Sequence, residues 1–284
     1  MSDLFNPNHY LPSSYLNSLN KEVYAKLSLQ KNNLLNNIKN SQSNVFVNIP
    51  LDLTVDKNED IIIIQNQEHN VDKIFNIHVN SNISSITIIP INADDTIIYN
   101  YYKFFIYGKT KITFITFRQN NKIKNKIEQF LMNEISEVEN IFYSDISSKQ
   151  YLDDSLEVFH ESKNTKSTTN YKSYTDGKIV TQINSIIQEE SYNSETKQHI
   201  KHIATSNTAN IFSKPNLIIK NPNVVASHGN SIGNISKEEI FYLEQRGISE
   251  KDSKLLLKNS SFINNFENHA LFNILNEYYI KYEH

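Results

Sequence analysis

Nine histidines and no cysteine set the terms for any metal or sulfur chemistry in this 284-residue chain. Without a thiolate it has no disulfide, no cysteine nucleophile and no cysteine-held metal. Chemistry on sulfur or iron would need a thiolate from another chain. Imidazole is a competent borderline ligand for iron, and one histidine stands apart. His228 lies in Ser227-His228-Gly229, and three of the five glycines, Gly229, Gly233 and Gly247, fall between Ser227 and Gly247. In a chain so short of glycine, that clustering predicts backbone geometry that residues with side chains cannot supply. Gly229 would also let another backbone or a ligand come close to the imidazole. The other reading of His228 is a hydrogen-bonded structural histidine at a strand-to-helix turn.

The remaining chemistry-bearing residues read more plainly. His199 and His202 are three apart, which suits a metal on a helix. Their surroundings alternate as in a strand, where odd spacing sends side chains to opposite faces, so both are expected to be surface histidines. His160 is expected to be buried and hydrogen-bonded. The adjacent pairs Asp94-Asp95 and Asp153-Asp154 would face opposite sides of a strand and read as turn residues. There is no glycine-rich phosphate loop, Ser–His–Asp constellation or dense carboxylate cluster.

Three kinds of segment must position these groups. Leu16, Leu19, Val23, Leu27, Leu34, Leu35 and Ile38 recur every three to four residues, predicting a helical segment over 1–44. From Val45 the period becomes two, with short β-branched and aromatic runs such as Ile61–Ile64, Ile83–Ile89, Phe104–Tyr107 and Ile112–Phe117 separated by polar clusters. They continue to Ile219 without an amphipathic helix between them, which argues against a doubly wound α/β fold. Sandwich, barrel and β-helix all fit a core over 45–222, and no strict short repeat decides among them. Over 223–284 helical signals return. Ser236 precedes Glu239 at capping-box spacing, with Gly247 as the C′ residue of the helix. Ser249 and Asp252 repeat the start signal, with Leu255 and Leu256 as the apolar face, and Phe262 to Tyr278 mark a final amphipathic helix.

Composition sets outer bounds. A net charge of −3 with 38% hydrophobic residues describes a soluble chain with no reason to expect nucleic-acid or membrane-surface attraction. The run Lys122-Ile-Lys124-Asn-Lys126 reads as a solvated face. The start is polar, without a basic stretch before an apolar run. The longest aliphatic run, Ile61–Ile64, is far short of a membrane span. The chain is expected in the cytoplasm of a bacterium with an AT-rich genome, or in a plastid-type stroma.

The segment around His228 carries a resemblance to a known family. Ser227-His228-Gly229 and Gly233, then Phe241-Tyr242-Leu243 and Arg246-Gly247-Ile248-Ser249, closely resemble the C-terminal signature of the SufB/SufD family. Lys214-Pro215 with Leu217 and Ile219, Gly177-Lys178-Ile179, and His160 with Thr165, Ser167 and Tyr171 resemble its upstream elements in order. The likeness is strong over 215–262, fair over 155–214 and topological before that. SufB-like chains have glutamates flanking the histidine and a scaffold cysteine at the position of Ile200; both departures resemble SufD. The resemblance implies a mainly β protein, a right-handed parallel β-helix with flanking N- and C-terminal α-helical segments. It implies a non-enzymatic scaffold subunit that pairs with a SufB-like subunit through its C-terminal coils. A SufC-like ABC ATPase would dock on the C-terminal helices, with Phe241, Tyr242, Arg246 and Gly247 in the docking element, although Arg246 could equally serve only as a cation at a helix C-terminus. An iron–sulfur cluster would form transiently at the interface with SufB, with His228 as ligand and no nucleotide on this chain. A homodimer is the alternative assembly, and a β-helix protein that binds or acts on carbohydrate the alternative function; the latter lacks the expected aromatic-and-carboxylate cleft.

Overall fold

The computed structural model describes residues 44–47, 51–66, 74–82, 84–91, 97–116 and 122–263. The predicted helices over 16–40 and beyond Ile263, and the pair Asp94-Asp95, lie outside the described residues. The described residues form two compact units, one within 46–233 and the other over 234–263.

The first unit is built from fifteen strands: β1 (Asn44–Val47), β2 (Asp52–Val55), β3 (Asp60–Asn66), β4 (Ile74–Val79), β5 (Ser84–Ile91), β6 (Ile97–Ile106), β7 (Lys109–Thr116), β8 (Lys122–Leu131), β9 (Glu137–Ile146), β10 (Tyr151–His160), β11 (Lys166–Thr175), β12 (Lys178–Ile187), β13 (Glu195–Ala204), β14 (Asn210–Ile219) and β15 (Val225–Asn234). Odd-numbered strands form one eight-stranded sheet and even-numbered strands a seven-stranded sheet, each in sequence order. Successive strands therefore alternate between sheets, and each strand pairs in parallel with the strand two further on, as β8, β10 and β12 do. This is the parallel β-helix that the family resemblance implied. Stacked side chains lie 24 to 32 residues apart in sequence. The uneven coil length explains why no short repeat is visible.

Stacking in register puts like on like. Inside the eight-stranded sheet, Ile63, Ile88, Phe114, Phe142 and Tyr171 form one row. The rings of Phe114 and Phe142 stack at 4.9 Å, and those of Phe142 and Tyr171 at 5.1 Å, close to the strand spacing itself. Each fully buried ring contributes about 1.5–3 kcal/mol of burial. β3, β5 and β7 are buried on both faces: Ile62, Thr87 and Ile115 are covered as well as Ile61, Ile86 and Ile112. Such strands read as continuous aliphatic runs rather than as alternation.

Toward the C-terminal coils the interior changes from aliphatic to polar. The row Ile61, Ile86, Ile112 continues as Asn140, Thr169 and Gln198. Every buried polar group needs a partner, and here the partners are other rows. Asn140 and Gln129 exchange two amide bonds across the interior, at 2.7 and 2.8 Å. Asn100 donates to Asn125, and Asn125 donates to Asp154 at 2.7 Å. The Tyr171 hydroxyl donates to the other oxygen of Asp154 at 2.5 Å. Asp153-Asp154 is thus not a turn but the middle of β10, with Asp154 inside and Asp153 outside. Burial pushes the Asp154 carboxyl up to about 6, against the opposing pull of its Tyr171 and Asn125 bonds.

The two inward histidines sit in the same polar region. His160 is fully buried, as expected, with Nδ1 2.7 Å from Thr165 Oγ1 and Nε2 2.9 Å from Ser167 Oγ. Ser167 donates to Thr196, which donates to Ser185, so Ser167 accepts from the Nε2–H of the ring. His202 repeats the arrangement with Ser173 at 2.7 Å and Thr181 at 3.2 Å. His199 and His202 do face opposite sides of β13, but only His199 is exposed. The expectation of a surface His202 fails because the interior of these coils is hydroxyl-rich and holds a neutral imidazole at no cost in unmet hydrogen bonds. Burial lowers both His160 and His202 to about 4.

Two measurements follow from this interior. A Cβ on Gly177 would stand 2.1 Å from Ser147 O and 2.6 Å from Gln150 O, both backbone atoms. Gly177→Ala should cost roughly 1–3 kcal/mol in urea unfolding; an unchanged midpoint would show that the corner relaxes freely. For the histidines, the folded-state value lies below the ordinary 6.5. Their stabilisation is complete above that value and is lost as pH falls toward about 4, by about 3 kcal/mol each. Asp154 acts in reverse, since its raised value removes stability as pH rises from 3.8 through about 6. His202→Gln should therefore flatten the loss of stability between pH 6.5 and about 4, and an unaltered slope would mean that the imidazole is charged in the folded protein.

Candidate functional site

A solenoid interior is closed on each coil by the next one, and among the described residues no coil follows the one that ends in β15. β14 and β15 are the outer strands of their sheets. Inward positions that are fully buried one coil earlier, such as Ile179 and Ile183 of β12, are only half-buried at Ile211 and Pro215 of β14. Ile219 is 39% exposed and Ile232 of β15 is 54% exposed. Pro215 stands on an edge strand, where a residue without an N–H is tolerated. The β-helix thus ends in an open face that combines apolar core residues with two unpaired strand edges.

His228 lies on this face. Val225 N–H bonds Ser194 O at 3.0 Å, just as Glu195 N–H bonds Thr165 O one coil earlier. Carried along β15, that register stands His228 above Gln198 and Asn230 above Ile200, on the inward row. Asn230 confirms the side: Ser213 Oγ of β14 donates to Asn230 Oδ1 at 3.2 Å, and Asn230 Nδ2 donates to Ser213 O at 3.4 Å. Ser213 in turn accepts from Thr181, the partner of His202. A line of hydrogen bonds therefore runs from the buried His202 to the residue two beyond His228. Beneath His228, Gln198 is fully buried with Nε2 bound to Ser185 Oγ and Asn216 O, while its Oε1 has no partner. His228 itself is exposed and takes no hydrogen bond among the described residues, so its ring nitrogens are open to a ligand.

The glycines divide differently from expectation. Only Gly247 has a positive φ, +83°. A Cβ at Gly229 or Gly233 would meet nothing within 4 Å, so this chain's own fold does not require glycine there. Both positions border open space; Gly229 adjoins His228 in sequence but falls on the other face of the strand.

The second unit holds helices α1 (Lys237–Glu244) and α2 (Glu250–Ile263), which pack on each other. The Ser236 side chain accepts from Glu239 N–H, and Ser249 accepts from Asp252 N–H, both at 3.1 Å, as the spacing predicted. Gly247 N–H bonds Glu244 O and Ile248 N–H bonds Leu243 O, which is the Schellman closure requiring a left-handed residue at Gly247. Leu256, expected on a buried apolar face, is 48% exposed. Phe241 and Tyr242 are 62% and 55% exposed, and the Arg246 guanidinium lies 4.3 Å from the Tyr242 ring centre. Two aromatic rings and a stacked guanidinium facing outward form a surface of the composition that dominates protein interfaces. The structure brings Phe241, Tyr242, Arg246 and Gly247 together on one helix and its cap.

No group of three or more histidine, cysteine, aspartate or glutamate side chains able to hold a metal occurs among the described residues. No helix among them is long and apolar enough to cross a membrane. The buried Asp154–Tyr171 pair and the His202 line went unseen in sequence, because a lone Asp or His in an alternating strand carries no sign of which face it takes.

Comparison with known proteins agrees with this geometry. Over 57 residues, 20% of this chain and 13% of the relative, the sequence is 39% identical to an iron–sulfur cluster assembly SufBD family protein of Synechocystis; the match thus spans a small part of that relative's length. Residues 35–261 match the family described as SUF system FeS cluster assembly, SufBD core domain, a span that takes in the β-helix, His228 and both helices. The chain belongs to the SufB/SufD family of iron–sulfur cluster assembly proteins.

Proposed function

We propose that this chain is a SufD-type scaffold subunit whose open β-helix end pairs with a SufB-like subunit, and that His228 is a nitrogen donor to an iron–sulfur cluster built at that junction as cargo. The observation that carries the reading is the uncovered last coil. Its half-exposed apolar row and free strand edges are what a second β-helix would cover by continuing the stack, and His228 stands in the row that would be enclosed. The chain has no cysteine, so the thiolates come from the partner. Ile200, which stands where SufB-like chains resemble one another in having a scaffold cysteine, is a buried aliphatic residue here, and this favours the SufD-type role. The exposed aromatic and guanidinium surface of α1 is the dock for a SufC-like ABC ATPase.

Pairing leaves His228 a specific task. A neutral imidazole binds iron through one nitrogen, and His228, exposed and without a hydrogen bond among the described residues, leaves that nitrogen open to the partner's approach. On its own the chain, which has no thiolate, should hold no stable cluster.

His228→Ala tests the site in a complex reconstituted with SufB-like and SufC-like partners. Folding and assembly should be unchanged, since an exposed side chain without hydrogen bonds contributes within about 0.5 kcal/mol. Retained iron and sulfide should fall by roughly tenfold, a loss seen even when only the outer-shell partner of a metal ligand is removed. His199→Ala, on the outward face, is the matched control. Wild-type cluster yield from the His228 variant would make this histidine structural.

Tyr242→Ala and Arg246→Ala separate docking from pairing. Each should weaken ATPase binding by about 2 kcal/mol, the scale of an interface hot spot, and leave co-purification with the SufB-like subunit intact. Loss of both partners together with a lowered unfolding temperature would instead assign the ring–guanidinium stack to holding the helical unit together.

A further inference from the structure

Across the outer face of the seven-stranded sheet, far from the last coil in sequence, the register creates a second site. Tyr99, Lys124 and Asp153 form one outward column on β6, β8 and β10, and Tyr101, Lys126 and Ser155 form the next. Between the columns lies a cavity of about 450 Å³, lined by these residues and by Ile74, with Asn100 and Asn125 of the intervening row as its floor. The two columns are two residues apart along each strand, about 6.6–6.8 Å. They splay further because the Tyr101 hydroxyl is drawn away to Glu128 at 2.7 Å, while Lys124 sits over Tyr99 at 5.5 Å and also faces Tyr151 at 6.0 Å. The volume is within the range of small-molecule sites, about 300–1,000 Å³.

The charges are unevenly matched. Glu128 serves two ammonium groups, Lys126 at 2.8 Å and Lys103 at 3.3 Å, and Asp153 stands 4.0 Å from Lys124. In a chain of net charge −3, this trough keeps positive charge beside tyrosine rings. Tyr99 and Ile74 are each 41% exposed, leaving ring and aliphatic surface open in the trough. The basic run that reads from sequence as a solvated face is thus interleaved, strand by strand, with aromatic rings. Interleaved aromatics and lysines are the arrangement by which proteins hold a base by stacking and a phosphate by charge.

We infer that this trough binds a planar heterocyclic ring bearing phosphate, the chemistry of a nucleotide, whether free or as a unit of a single strand. The ring lies against Tyr99 and Ile74, and the phosphate reaches the ammonium groups of Lys124 and Lys126. This departs from the sequence-based expectation of no nucleotide on this chain, and it is independent of the role assigned to His228.

Isothermal titration of the full chain with AMP, adenosine, inorganic phosphate and an adenylate hexamer tests it. AMP should bind with a Kd of about 1 mM or tighter, and adenosine and phosphate each at least about tenfold more weakly, since each makes half of the contacts. Tyr99→Ala and Lys124→Ala should each weaken AMP by about tenfold and leave circular dichroism and the unfolding temperature unchanged, because both side chains are exposed. A hexamer that binds more tightly than AMP assigns the single strand as the source, and equal binding assigns the free nucleotide. No binding of AMP or hexamer, phosphate binding as well as AMP, affinity untouched by both variants, or preference for a neutral oligosaccharide such as maltotriose would each overturn the assignment.

Discussion

Parallel stacking in register brings each side chain within about 4.8 Å of the residue at the same place in the next coil, and the rest of the molecule follows from that spacing. A ring at this distance prefers a ring, as Phe114, Phe142 and Tyr171 show. An amide prefers an amide or a carboxyl, as Asn100, Asn125 and Asp154 show. A residue's fitness is therefore set less by its own strand than by the strands above and below it. Errors are costly in a particular way: an aliphatic side chain placed in an amide row buries an unmet donor on each side, about 1–3 kcal/mol apiece.

The same rule explains why chemistry gathers where the stack stops. Polar rows tolerate burial only while each coil answers the one before it. The His160 row is answered by Thr165, Ser167, Thr196 and Ser185. At β15 no further coil follows among the described residues: Gln198 keeps an unmatched carbonyl oxygen, Asn230 turns to Ser213, and His228 is left open. The apolar positions of the last coil are likewise half-covered. An end of this composition is too apolar for a solvent cap and too polar for a plain hydrophobic joint, and it suits a partner that continues the same rows.

Local rules were legible in sequence where the structure is local. Ser236, Ser249 and Gly247 act through bonds to residues within five positions, so spacing alone locates both caps and the Schellman turn. The change of period at Val45 and the motif around His228 were visible for the same reason. What depends on register was hidden. Partners 24 to 32 residues apart with no fixed interval leave no periodic trace, so the β-helix could be told from a sandwich only through family resemblance. The same uncertainty put His202 on the surface, made a turn of Asp153-Asp154, and reduced Lys122–Lys126 to a basic run. Each is a statement about which face a residue takes and what lies one coil away. The glycine signal misled as well, since Gly229 and Gly233 have neither a positive φ nor a close neighbour that would require glycine.

The three inward histidines of the C-terminal coils show how position alone sorts one side chain into different work. His160 and His202 carry a hydroxyl on each ring nitrogen and are held neutral by burial. Their lone pairs are committed, and freeing one for a metal would strand a buried hydroxyl. His228 occupies the same inward side one coil further on, where none of the described residues supplies those hydroxyls. Its nitrogens are free for the reason that the coil is last. A ligand position made in this way needs no strained backbone and no dedicated loop. It is a single donor, so any metal bound there would have to take its remaining ligands from elsewhere.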